Sequence, residues 1–109
     1  MAIDEEKLNQ LLGKFVTDFG AAFHAGMVVI GEALGLYKAL AAAGPLTSAA
    51  LAERTNTNER YVREWLNSQA AGGYIEYDAQ AGHYFLSEEQ AFAFSEEKSP
   101  AYQIGRAHV

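Results

Sequence analysis

Apolar residues recur every three or four positions through the first part of the chain. Leu8, Leu11, Leu12, Phe15, Val16 and Phe19 fall on one helical face, the pattern that a 3.6-residue period imposes. Asp4 stands at the N-cap position, and Glu5 and Glu6 follow in the first turn, where the helix dipole favours negative charge. Gly20 is expected to end or bend this helix. A second helix is expected from about Ala22 to Ala43, with Phe23, Met27, Ile30, Leu34, Tyr37 and Leu40 as its apolar set. It is apolar around most of its circumference, so it should be deeply buried or clasped by a second chain. Gly44-Pro45 is a hard stop.

Past that stop the periodic stretches shorten. Thr47 or Ser48 caps a small helix through Leu51, Ala52 and Arg54, and Thr55-Asn56-Thr57-Asn58 is a turn that also supplies the next cap. Glu59 to Ala71 reads as a firm helix with Val62, Trp65, Leu66 and Ala70 inward, closed by Gly72-Gly73. Tyr74 to Tyr77 alternates as a strand, Asp78 to Gly82 is a hairpin loop, and His83 to Leu86 is the return strand. Ser87 with Gln90 fits a capping box and starts a last helix. Short helix, turn, longer helix and hairpin is the winged helix-turn-helix order. The expected fold is therefore mainly α: a winged helix-turn-helix with a two-stranded β-hairpin wing, preceded by two longer N-terminal helices.

The chain has 109 residues and a mass of 11.8 kDa, one domain's worth of material. Hydrophobic residues at 50% and charged residues at 20% exclude a wholly disordered chain. The net charge of −6 is the reverse of what a free-standing nucleic-acid binder usually shows. The absence of cysteine excludes disulfides and thiolate metal sites. The longest nearly uncharged stretch, Phe19 to Gly31 with His24 inside it, is shorter than the ~20 apolar residues of a membrane span. The N-terminus is acidic where a signal peptide would be basic. The expectation is a soluble, cytoplasmic chain with no membrane partner.

Gly31 with Gly35-Leu36-Tyr37, Gly44-Pro45-Leu46-Thr47, Leu51-Ala52, and Glu59-Arg60-Tyr61-Val62-Arg63-Glu64-Trp65-Leu66 form a specific set. Gly73-Tyr74, Tyr77-Asp78 and Ser99-Pro100-Ala101-Tyr102 extend it. The stretch from about Phe15 to Tyr102 resembles the N-terminal winged-helix domain of bacterial S-adenosylmethionine-dependent methyltransferases, some of them described as transcriptional regulators. The resemblance implies a module that dimerises the enzyme and covers its substrate pocket, while a following Rossmann-like domain binds S-adenosylmethionine. The chain carries no Gly-x-Gly-x-x-Gly loop in a strand–loop–helix setting, so the fragment itself is expected to hold no cofactor and to be non-catalytic. Gly31-x-x-x-Gly35 is read as a close packing spot inside a helix, one that would let another helix approach.

On this reading, residues 1–43 are the dimerising and pocket-covering helices, and 44–95 the winged helix. Residues 96–103 begin a linker to a missing catalytic domain. The tail from Ile104 to Val109 departs from the family pattern and looks like the translation of a sequencing adapter. The reading frame is thus expected to be a truncated piece of a longer one, with a native polar tail as the alternative.

Candidate contact residues follow. Phe19, Phe23, His24, Met27 and Ile30 are expected at a dimer interface or a substrate pocket. His24 reads as a core or interface histidine, with a role in a pocket shared with the missing domain as its alternative. No Asp, Glu or His stands at ligand spacing beside it, so no metal site is expected. Arg60, Arg63 and Asn67 are the residues that would face DNA in a regulator, since Arg and Asn suit guanine and adenine edges. Glu59 and Glu64 stand four residues from Arg63 and Arg60 and can pair with them. Glu76 and Asp78 place negative charge on the wing, where phosphate contact needs cations. Trp65, Tyr61 and Tyr74 are expected to pack the core. A stand-alone transcriptional regulator is the rival function, and a bare interaction domain the third.

Overall fold

The computed structural model describes residues 2–102. The tail assigned to an adapter lies outside the described residues. Helix α1 (Glu5–Ala33) is one element of 29 residues. Asp4 caps it, its Oδ1 accepting the N–H of Glu6 at 3.0 Å and of Lys7 at 3.2 Å. The expected break at Gly20 does not occur. A glycine inside a helix costs only about 0.5–1 kcal/mol, and no atom approaches within 4 Å of where a Gly20 Cβ would stand to push the helix aside. The break falls instead at Gly35, whose φ of 72° is left-handed, and helix α2 (Leu36–Ala43) departs at 66° to α1. The span expected as one helix over 22–43 is therefore divided, and its first half is the end of α1. That half is also not buried all round: Phe23 and Ile30 are exposed, and Gly31 is the buried residue of α1.

The winged helix-turn-helix expected from the sequence is present. Helix α3 (Ser48–Thr55) is capped by Thr47, whose side chain accepts the Ala50 N–H at 3.1 Å. Helix α4 (Glu59–Ala71) is capped by Asn58, which accepts from Arg60 at 2.9 Å. Strands β1 (Glu76–Asp78) and β2 (His83–Phe85) pair antiparallel with Tyr77 opposite Tyr84. β1 starts later than the alternation at Tyr74 suggests. The N–H groups of Tyr74 and Ile75 both turn back to the Gln69 carbonyl, at 3.0 and 3.4 Å, and so close the end of α4. Leu46 exchanges two backbone bonds with Tyr84, at 2.9 and 2.7 Å, which ties the loop after α2 to the wing. Ser87 and Gln90 form the expected capping box on α5 (Glu88–Ser95).

The core is built where α2, α3, α4 and the wing converge. Leu36, Leu40, Leu51, Leu66 and Ile75 are almost fully enclosed, each contributing about 1.5–3 kcal/mol by removal of apolar surface from water. Tyr37 stands among them, edge-on to Trp65 at 5.0 Å and stacked on Phe94 at 4.9 Å. Its hydroxyl donates to the side-chain oxygen of the fully buried Gln69. Gln69 lies one turn beyond Trp65 and Leu66, a spacing that marks the inner face although its polarity conceals it. Tyr61 departs from expectation. It is 74% exposed, because it falls to one side of the face that Val62, Leu66 and Gln69 turn inward. After α5 the chain returns to α2: Ser99 and Tyr102 are buried, and the Lys38 ammonium lies 5.1 Å over the Tyr102 ring and 3.6 Å from Glu97.

Candidate functional site

The first 20 or so residues of α1 project beyond the core, in a molecule with extents of 59 × 33 × 25 Å. Their apolar stripe is uncovered. Leu12, Phe15, Phe19 and Phe23 are exposed, Phe19 at 68%, and the Phe15 and Phe19 rings stack with centroids 6.0 Å apart. Monomeric proteins seldom leave so long an apolar surface open. Among the described residues no single helix is long and apolar enough to cross a membrane.

The five residues expected at a contact surface separate into three settings. Phe19 and Phe23 stand on the open ridge. His24 turns toward the winged helix, between Phe23 at 6.0 Å and Tyr74 at 6.4 Å, with its Cε1 against Gly72. Its Nδ1 is buried without a hydrogen-bond partner among the described residues. Met27 packs on the core and lends its carbonyl to the Trp65 indole N–H at 2.8 Å. Ile30 faces elsewhere, into an apolar groove of about 250 Å³ between the end of α1 and the start of α4. Leu34, Leu36, Tyr61, Val62 and Trp65 line it as well, with the polar Thr57 and Asn58 at the turn before α4. The signal for the rim position of Tyr61 is helical phase: at ~100° per residue it stands about a quarter-turn round α4 from the buried Val62.

The glycine pair does not open α1 to another helix as expected. Gly35 sits at the helix break, and Gly31 is filled by this chain's own Trp65 and Tyr37. The approach is close, as the sequence indicates, but it is intramolecular.

On the opposite side Arg60, Arg63 and Asn67 are exposed along α4. The Arg63 Nε lies 3.8 Å from a Glu59 carboxylate oxygen that also accepts the Ser48 hydroxyl at 2.6 Å. The second expected pair, Arg60 with Glu64, does not come within ion-pair distance among the described residues. Asn67 accepts the Tyr84 hydroxyl, which pins the wing to α4. Burial raises the Tyr84 pKa, with Tyr77 adding to the effect. In the wing turn, the Asp78 Oδ1 accepts from Gln80 at 3.0 Å and Ala81 at 3.3 Å. No group of three or more acidic, histidine or cysteine residues able to hold a metal occurs among the described residues.

Residues 22–96 match the Rv2258c-like winged HTH domain. The chain belongs to this family. Solved structures that match this fold include methyltransferases. The mitomycin 7-O-methyltransferase MmcR superposes with a TM-score of 0.76 at 24% identity, over 93% of this chain and 30% of that one. CalO1, a methyltransferase in calicheamicin biosynthesis solved with SAH bound, gives 0.67 at 25% identity, over 92% and 28%. Human N-acetylserotonin methyltransferase in complex with SAM gives 0.67 at 20%, over 92% and 29%. The chain thus spans less than a third of these relatives' length. No curated protein sequence matches it. This Rv2258c-like domain has the winged helix of those enzymes, preceded by a long helix whose outer face is apolar and open.

Proposed function

We propose that this chain is the N-terminal module of a class I S-adenosylmethionine-dependent methyltransferase, holding two subunits together through α1 and covering the substrate pocket of a catalytic domain. The observation that carries the reading is the correspondence of nearly the whole chain to under a third of several O-methyltransferases. A domain of this family with an uncovered apolar helix is suited to contact a second subunit and a second domain.

The described residues do not fit S-adenosylmethionine. Such a ligand needs a glycine-rich turn between a parallel strand and a helix N-terminus, and the described sheet is a two-stranded antiparallel hairpin. The cofactor belongs to the catalytic domain of the parent protein. A DNA-reading role is disfavoured by the same geometry. Asn67 is engaged by Tyr84, Arg63 lies beside Glu59, and the wing carries Glu76 and Asp78.

Recovery of the locus from an independent source tests the reading. The expected result is an in-frame class I methyltransferase domain downstream of Tyr102. A stop codon directly after this segment in the intact gene overturns it.

A further inference from the structure

After α5 the chain doubles back across the corner between α1 and α2. Ser99 and Tyr102 are buried there, while Glu96, Glu97, Lys98 and Pro100 are exposed. The backbone bonds of this segment stay within it. The Ser99 N–H donates to the Glu96 carbonyl at 3.0 Å, and the Ala101 N–H to the Ser99 hydroxyl oxygen at 3.2 Å. Among the described residues, no backbone hydrogen bond ties residues 98–102 to α1 or α2. The hold is made by side chains, chiefly Tyr102. Its ring closes with Val28 and Glu32 of α1, Tyr37 of α2 and Phe94 of α5 around a hole of about 10 Å³, no larger than one water needs. Val28 and Glu32 precede the break at Gly35 and Tyr37 follows it, so Tyr102 bridges two helices set at 66°. No atom stands within 4 Å of a Cβ at Gly35 to hold that angle locally.

We propose that residues 96–102 are a strap that opens and closes as a unit, with Tyr102 as its latch, and that its closure is a second fastening of α1. The first fastening is Trp65, which holds α1 from the α4 side through Met27 and Gly31. Tyr102 holds it from the α5 side. Opening the strap breaks side-chain contacts and leaves the helical and wing backbone bonds intact. Local openings of that kind cost less than unfolding the whole domain. The Lys38–Glu97 pair adds little, since both side chains are at least half exposed. Whatever draws Tyr102 away therefore loosens α1 while α3, α4 and the wing stay folded. The device belongs to this chain and does not depend on its parent being a methyltransferase.

The absence of cysteine makes the test direct. Ser99→Cys places a thiol under the strap, and Val62→Cys places one on the buried face of α4. Circular dichroism checks that each variant of the 109-residue chain folds. A thiol reagent should label Ser99→Cys at least ten-fold faster than Val62→Cys. Adding Tyr102→Ala should speed Ser99→Cys at least a further ten-fold and leave Val62→Cys within two-fold. Tyr102→Phe keeps the ring and should leave Ser99→Cys near its original rate. Spin labels on Gln10→Cys in α1 and Glu64→Cys in α4, diluted with unlabelled chain, report the seating of α1. Tyr102→Ala should at least double the width of their distance distribution. Equal labelling of Ser99→Cys and Val62→Cys overturns the strap as an independent unit. A Ser99→Cys rate that Tyr102→Ala leaves unchanged overturns Tyr102 as its latch. A distance distribution that stays narrow once Ser99→Cys is released overturns the fastening of α1.

Discussion

The indole of Trp65 occupies the space that a side chain on Gly31 would need. A Cβ placed on Gly31 would lie 2.4 Å from Cζ2 of Trp65 and 2.5 Å from Cε2 of Tyr37. One turn earlier the same indole donates its N–H to the Met27 carbonyl. These contacts fix α1 to the winged helix, so the ridge projects from a defined place instead of swinging on a hinge.

Gly31→Ala is therefore expected to destabilise the fold. Its gain in helix propensity is about 1 kcal/mol, but the obstacles are two packed rings, not the tip of a flexible chain, and overpacking of this kind costs typically ~1–3 kcal/mol. Gly20→Ala meets no atom within 4 Å and should stabilise by about 0.5–1 kcal/mol. Urea denaturation of both variants at one protein concentration separates the cases. A stabilising Gly31→Ala would show that α1 is not seated on Trp65.

Alkaline pH should weaken the fold through Tyr37. Burial holds its phenol well above the ordinary value of 10.0, with Tyr74 adding to the shift. The folded chain keeps that proton where the unfolded chain loses it. Stability is then fully present below pH 10 and falls as pH rises above it, by at most ~1.4 kcal/mol per pH unit for one group. Tyr37→Phe also leaves Gln69 without its donor, so it should be less stable at neutral pH. The discriminating quantity is the slope above pH 10, which should be shallower in Tyr37→Phe than in wild type. Equal slopes would place the alkaline sensitivity elsewhere.

The winged helix was legible because its signals are local. Thr47, Asn58 and Ser87 are cap residues read by type, and Gly44-Pro45 is a stop that no packing overrides. The long helix was misdivided because a glycine's effect depends on what surrounds it. Gly20 and Gly35 look alike in sequence, but the packing of Leu36 and Tyr37 forces the turn at Gly35. Tyr61 departs from its expected core position for a related reason, and the polarity of Gln69 conceals its burial. Periodicity locates a helical face, but the edge of the buried surface depends on which neighbours reach it. The spacing of Phe19 and Phe23 marks apolar helical positions, whereas the groove around Ile30 joins two elements separated in sequence and leaves no local trace.

Duplex DNA should not bind usefully at physiological salt. Affinity for DNA draws on cations that displace condensed counterions, whereas here the net charge is −6 and the Arg63 guanidinium lies beside Glu59. Fluorescence anisotropy across a salt series should give binding no tighter than the ~1–100 μM of ordinary non-specific contact. Sub-micromolar binding that weakens steeply with salt would favour a regulator.

Phe19→Glu should abolish self-association while leaving the single chain folded. The side chain is 68% exposed in one molecule, and glutamate forms helix at least as readily as phenylalanine, so the monomer loses little. In a dimer the same position would be enclosed, and an unpaired carboxylate there costs several kcal/mol. Wild type should therefore show a thermal midpoint that rises with protein concentration, and Phe19→Glu a midpoint that does not. Ile30→Glu is the instructive contrast. Ile30 is only part-exposed and lies on the groove beside Trp65, so its loss should weaken both association and the seating of α1. Sedimentation with circular dichroism distinguishes the two variants: a folded monomer for Phe19→Glu, and a monomer of lowered stability for Ile30→Glu. A Phe19→Glu chain that remains dimeric would remove the ridge from the interface.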